Sequence, residues 1–293
     1  MYPKEVRVRI NRVFLMNDLR GASIIIYRVL ITVTEIHKKR DLPPHLYICC
    51  MDLKTIVGQY NEQYLPHLSV DTVIFGYQDS KLHCLLLKFG DRWFLPGGHI
   101  EKDEDVKEAA RRVVKTRTSL SGKFLHFFNV FGGADRNFSN DFKQLFENKD
   151  LPLEDGHPML QRYVTLGFIS LVRIDDVQPL KGNFDDDITW YPVDELPDMV
   201  GDHAEIIQNA IEYLIGLNDY SPIGHHLLPH FFTMPQLHKL TQIISRRELD
   251  RSRFQKKMLS LDIYKRHEEI TTSVRGRNPY LYSYEGPNNL ERI

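Results

Sequence analysis

The stretch from Pro96 to Leu120, PGGHIEKDEDVKEAARRVVKTRTSL, constrains this chain more than any other. Its adjacent glycines, Gly97 and Gly98, give open backbone that a ligand or a neighbouring strand can approach closely. Asp105 then stands where a helix would begin, with Glu108 three residues on in the capping-box position. Val106, Ala109, Ala110, Val113 and Val114 recur at helical spacing, which predicts a helix burying one face.

This loop and helix resemble the Nudix box. That pattern sets a Gly and a Glu at fixed spacing before an Arg-Glu-apolar-any-Glu-Glu-any-Gly-apolar run. Gly98, Glu104, Arg112, Val114 and Leu120 match it in order, and Gly97, Gly98, Glu104 and Arg112 are read as the remnant of the box. The helical glutamates are missing. Val113, Thr116 and Arg117 stand in their places, and Ser119 replaces the closing Gly. In the Nudix hydrolases those glutamates hold divalent cations against a diphosphate, and Mg²⁺ needs hard oxygen ligands. Val113 and Thr116 cannot replace carboxylates, and Arg117 adds positive charge. The resemblance therefore implies the fold, an α/β (α+β) sandwich of mixed sheet and helices, without the chemistry. We expect no metal, no cofactor and no catalytic residue, in a domain that binds rather than cuts.

A length of 293 residues allows two domains, at roughly 100–200 residues each. Formal net charge is −1, which argues neither for nor against a nucleic-acid partner. The three cysteines, Cys49, Cys50 and Cys84, form neither a zinc spacing nor a disulfide framework, so the expected compartment is the cytoplasm. No long uninterrupted apolar stretch predicts a membrane span.

Residues 1–50 are basic and unlike the rest, without the cleavage pattern of a signal peptide. Met51 opens a stretch resembling the usual start of a Nudix-type regulator, so residues 1–50 are read as an extension ahead of the true start. The alternative is an extra helix or strand on the core. The first domain is placed at 61–218. SVDTVIFGY and KLHCLLLKF predict a hairpin about Gln78-Asp79-Ser80, and FLHFFNVF and RYVTLGFISLVRI predict further strands, the latter central. The polar stretch 137–158 reads as a surface excursion. DITWYP resembles a late strand, and AEIIQNAIEYLIGL predicts a closing amphipathic helix that Asp202 would cap.

The second domain is placed at 221–293. Thr233 with Gln236 predicts a capped helix whose stripe is Leu237, Leu240, Ile243 and Ile244. Asp250 predicts a second cap, and Phe254, Met258 and Leu261 the buried face of the helix it starts. TTSVRGRNPYLYSY reads as two strands around Arg275-Gly276-Arg277, the order of a winged helix-turn-helix. From Lys239 to Arg277 eleven Lys and Arg face five Asp and Glu. Charge gathered in this way in a near-neutral chain suits a phosphate-facing module.

Nudix domain followed by winged helix-turn-helix resembles the Nudix-related bacterial transcriptional regulators. The resemblance implies double-stranded DNA as partner, with an inverted-repeat operator met by a homodimer. It also implies a small effector, a pentose or an ADP-ribose-like molecule. Arg251, Arg253, Gln255, Lys256 and Lys257, with Arg275 and Arg277 in the wing, are the expected DNA contacts. Asp71, Lys88, Trp93, His99 and Arg136 are expected to line the effector pocket. The competing expectation is a divergent Nudix hydrolase of a nucleoside diphosphate derivative, using Glu101, Asp103, Glu104 and Glu108.

Overall fold

The computed structural model describes residues 63–120, 124–182, 185–269 and 278–286, with two further strands near the N-terminus. Those two, β1 (Val13–Asn17) and β2 (Ser23–Tyr27), pair antiparallel as a hairpin within the unit 1–56. The rest of the reading of residues 1–50, and the start at Met51, lie outside the described residues.

Residues 57–293 form a second unit. Its seven-stranded sheet is organised by β3 (Tyr64–Gln78), whose β-branched and aromatic run suits a strand buried on both faces. β4 (Lys81–Phe89) turns back on it through Asp79 and Ser80, both at positive φ, as the hairpin reading required. β5 (Arg92–Phe94) and β9 (Asp187–Pro192) pair with β4, and β6 (Gly97–Glu101) pairs with the first half of β3. On the other side β8 (Val164–Leu171) runs parallel to β3, and β7 (Leu125–Phe131) pairs with β8 at the sheet edge. Strand alternation sends Val70 and Ile74 to one face and Val73 and Phe75 to the other.

The first face receives α1 (Val106–Thr118) through Ala109, Ala110, Val113 and Val114, the stripe read from the sequence. The second receives α3 (His203–Tyr220) through Ile206, Ile207, Ala210 and Leu214. The same apolar cluster continues into α4 (Met234–Ser245) and α5 (Arg251–Ser260). Strands β10 (Phe232–Thr233), β12 (Tyr280–Tyr284) and β11 (Tyr264–Glu269) complete this end as a three-stranded sheet in that order.

Five local expectations are corrected. The stretch read as a surface excursion contains α2 (Ser139–Glu147), whose Phe142, Leu145 and Phe146 pack with Phe89, Phe94, Leu153 and Leu160. Asp105 precedes α1 but makes no side-chain cap bond, and Glu108 pairs with Arg111 instead. Asp202 likewise makes no cap bond: its backbone, at φ −93 and ψ 9, is not extended as a cap requires, and its carboxylate is held by Arg136. Leu261 is 40% exposed, since α5 ends at Ser260 and the helical stripe ends with it. The first strand of the wing is β11, before Thr271, where Tyr264 turns inward and Lys265 and Arg266 face out.

Candidate functional site

The site begins where β6 drops into α1. Gly97 has no room for a side chain, because a Cβ there would collide with the Asp71 carboxylate across the strand pair. Gly98 lies against Val113, its Cβ position 3.2 Å from that side chain. Arg112 reaches back along the helix to Glu104, Nε donating to Oε1 at 2.7 Å and Nη2 to Oε2 at 2.8 Å. Nη2 also donates to the His99 carbonyl at 2.8 Å. This two-pronged pair staples loop to helix with the geometry that makes guanidinium–carboxylate contacts strong.

The α3 face of the sheet carries a polar floor at this end. Ser69 stands opposite His99 on β6 and Thr165 on β8, its hydroxyl 2.5 Å from that of Thr165. His99 lies between Tyr64 and Tyr163, ring centroids 5.5 and 5.0 Å away. Burial, with Arg112 adding to it, pulls the His99 pKa down to about 4, so the ring is neutral at ordinary pH. Two residues along, Asp71 is buried, and burial raises its pKa against the opposing pull of His203 and Arg136. Arg136 is buried too. It grips Asp202 through Nε at 2.7 Å and Nη2 at 3.2 Å, donates from Nη1 to the Tyr163 carbonyl at 3.0 Å, and lies 3.8 Å from Asp71. His203 accepts the Leu95 N–H at Nδ1 (2.9 Å), which fixes its neutral tautomer, and burial lowers its pKa.

At the other end, α4 opens with a complete capping box, Thr233 and Gln236 exchanging bonds as the sequence predicted. The turn into α5 is held by two α4 side chains that sequence reading passed over. Gln242 accepts the Leu249 N–H at 2.9 Å, and His238 Nε2 sits 2.8 Å from the Leu249 carbonyl. Asp250 caps α5 through the Arg253 N–H at 2.8 Å, and Phe254 and Met258 anchor it inward. Arg251, Arg253, Gln255, Lys256 and Lys257 are all exposed, and among the described residues none of the four cations has an ion pair. Arg246 and Arg247 differ: they pair with Asp194 and Asp219. Arg275 and Arg277 lie outside the described residues.

Comparison with known families finds two matches in succession. Residues 65–210 match the NUDIX domain family and residues 224–284 the NrtR DNA-binding winged helix domain. This is a Nudix domain joined to an NrtR-type winged helix. A curated relative, the ADPR responsive transcriptional repressor NtrR of Acinetobacter baylyi, is 21% identical over 243 residues, covering 79% of this chain and 88% of its own. The fold is shared with NrtR of Shewanella oneidensis in a structure with a 27mer DNA, at TM-score 0.60 and 22% identity, covering 76% of this chain and 94% of that one. A MutT/nudix family protein of Enterococcus faecalis matches at TM-score 0.54 and 19% identity, covering 80% and 94%.

The divalent-cation site that the Nudix fold implies does not fit these residues. Val113 is core and offers no donor atom. The Thr116 hydroxyl donates to the carbonyls of Arg112 and Val113, at 2.9 and 3.0 Å. Arg117 is paired with Asp185, their side chains only 17% and 6% exposed. Among the described residues no group of three or more His, Cys, Asp and Glu is arranged to hold a metal.

The Nudix domain brings together three of the five expected pocket residues. Asp71, His99 and Arg136 belong to one polar group. Lys88 and Trp93 belong to another: the Lys88 ammonium lies 5.7 Å from the Trp93 ring centre, and Trp93 is 8% exposed against Tyr191. Trp93 sits on a short strand whose inward face is core, so it has no free ring face for a ligand. Tyr64 and Tyr163 are the aromatics beside His99; neither stands next to the Gly-Gly loop in sequence, so spacing could not find them.

Proposed function

We propose that this protein is a transcriptional regulator whose winged helix binds DNA through α5 and whose Nudix domain senses a small effector instead of hydrolysing it. The observation that carries this reading is the contrast in charge. The cations of α5 are exposed and unpaired among the described residues, while the positions that would hold a metal are apolar, self-bonded or neutralised.

The effector that fits best is ADP-ribose or a close nucleoside diphosphate sugar, ahead of a free pentose. The relative from Acinetobacter is named as ADPR responsive. The half-buried Tyr64 ring beside His99 offers stacking surface for a base or sugar. With no metal, the diphosphate must be met by guanidinium and backbone N–H groups, and Arg162 is exposed beside Tyr163. On DNA we propose a homodimer on an inverted repeat, since paired half-sites match a two-fold protein. Strand β7, at the sheet edge, presents exposed Phe127 and Val130 for a contact between copies.

The test is a gel shift with DNA from upstream of the protein's own gene, with and without ADP-ribose, arabinose or xylose. Binding that weakens with salt and responds to ADP-ribose supports the reading. Salt-insensitive binding, or hydrolysis of ADP-ribose with Mg²⁺ or Mn²⁺ above about 1 s⁻¹, sinks it in favour of a hydrolase.

A further inference from the structure

We propose that Arg136 and Asp202 are positioning residues that carry effector binding to the winged helix through α3, an inference that rests on the regulator reading above. Arg136 belongs to the loop after β7, and its guanidinium is buried with two bonds to Asp202, one to the Tyr163 carbonyl, and Asp71 alongside. Tyr163 is also the ring against His99. The polar floor and the start of α3 are therefore joined by consecutive contacts with no gap.

Asp202 has a second use available. It occupies the N-cap position of α3, where a carboxylate normally accepts helix N–H groups, yet it makes no cap bond. An anion that draws the guanidinium away frees the Asp202 carboxylate, and a turn of its backbone from φ −93, ψ 9 into the extended region then lets it cap its own helix. Arg136 held by Asp202 and Asp202 capping α3 are thus two discrete arrangements of one group, the element a switch needs. An incoming anion here competes with two carboxylates for that guanidinium. Asp71 and Asp202 both face Arg136, and His203 is held neutral by the Leu95 N–H.

The far end of α3 grips the winged helix. The helix is 18 residues long, so it spans about 27 Å. Ile206, Ile207, Ala210 and Leu214 lock its middle into the core. Near its C-terminus Asn218 donates to the Ser245 hydroxyl of α4 at 3.2 Å, and Asp219 pairs with Arg247. A change of seat at Asp202 therefore reaches α4 as a tilt of the helix about that anchored middle.

The experiment measures DNA affinity of the full chain with and without ADP-ribose, and ADP-ribose affinity by calorimetry, using the upstream fragment. The wild-type ratio of DNA affinities is expected within about 5–150-fold. Asp202→Asn keeps one capping oxygen but loses the two-pronged ion pair with Arg136. It should show the DNA affinity of liganded wild type without ligand, a ratio near one, and ADP-ribose binding equal or tighter. Asp219→Asn, on the exposed pair, should shrink the ratio while leaving ADP-ribose affinity in the absence of DNA within about twofold, and it keeps the test decisive should Asp202→Asn not fold. Wild-type ratios in both variants overturn the proposal. So does loss of ADP-ribose binding in Asp202→Asn, which would make the cluster a contact site. A wild type whose DNA binding ignores ADP-ribose removes the regulator reading itself.

Discussion

Helices α1 and α5 both carry dense charge on a short segment, but they place it differently. In α1, Arg111, Arg112 and Arg117 each end on a carboxylate of the protein: Glu108, Glu104 and Asp185. In α5, four cations and a glutamine surround a core face of two residues and point into solvent. Charge that is paired and partly buried fixes a structure. Charge left in water is free to meet a partner, and on the reading proposed above that partner is a row of phosphates, which releases counterions when bound. The arginines of α1 are held by the protein's own carboxylates, and the cations of α5 face water.

The largest effect expected from breaking this contrast is on DNA. Replacing Arg251, Arg253, Lys256 and Lys257 together by Gln should lower affinity by about a thousandfold or more. The slope of log affinity against log salt should become shallower by about 0.9 for each phosphate that no longer meets a cation. Melting temperature should hold, because these side chains are exposed. A loss under tenfold would take α5 out of the interface. Single replacement of Arg253 or Gln255 should relax base preference, at about 1–3 kcal/mol for each base contact.

The inward side breaks next. Arg117→Glu sets a carboxylate against the nearly buried Asp185, and parting such a pair costs about 3–5 kcal/mol. Urea titration should show that loss with no gain of Mg²⁺-dependent ADP-ribose hydrolysis. Hydrolysis in the variant would mean that only one residue had kept the metal out.

How much of this contrast could be read in the sequence depends on range. The α1 stripe, the β3–β4 hairpin and the Thr233 capping box are local patterns, and each formed where its spacing required. The exposed α5 row was legible because Phe254 and Met258 fix which way the helix faces. Pairings across long separations were not. Arg136 and Asp202 lie 66 residues apart, and nothing local says that Asp202 will forgo its helix cap for an arginine. Arg117 looked like a free cation because Asp185 comes 68 residues later. Trp93 looked like a pocket residue because it precedes the loop, whereas strand alternation turned it into the core.

Acid should sharpen the comparison from the stability side. His99 is held to about 4 by burial, against an ordinary 6.5. Below about pH 6.5 the unfolded chain takes up a proton that the folded ring refuses, so the stability this group contributes is full above that pH. It is lost as pH falls toward 4, by up to about 1.4 kcal/mol per pH unit. His225 adds a parallel loss, since burial also pulls it to about 4. Asp71 works the other way: its raised pKa makes the folded state bind a proton first and partly offsets the fall. Denaturation of His99→Gln between pH 7 and 4 should be flatter than wild type, and an unchanged slope would show that the ring takes up its proton without unfolding.

The smallest effect is expected at Ser119, where the Nudix pattern has Gly. Ser119 closes α1 at φ 61 and ψ 9, a left-handed conformation, with its N–H on the Lys115 carbonyl at 2.9 Å. A side chain in that region costs roughly 1–2 kcal/mol. Glycine avoids that cost but gives back roughly 0.5–1 kcal/mol through the freedom of the unfolded chain. Ser119→Gly should therefore stabilise by about 0.5–1 kcal/mol and raise melting by a few degrees. DNA and ADP-ribose affinities should not move, because the cap lies at the end of α1 away from Arg112 and Glu104. Destabilisation would show that the Ser119 hydroxyl holds the following turn in place, and that the loss of Gly from the pattern was compensated where it occurred.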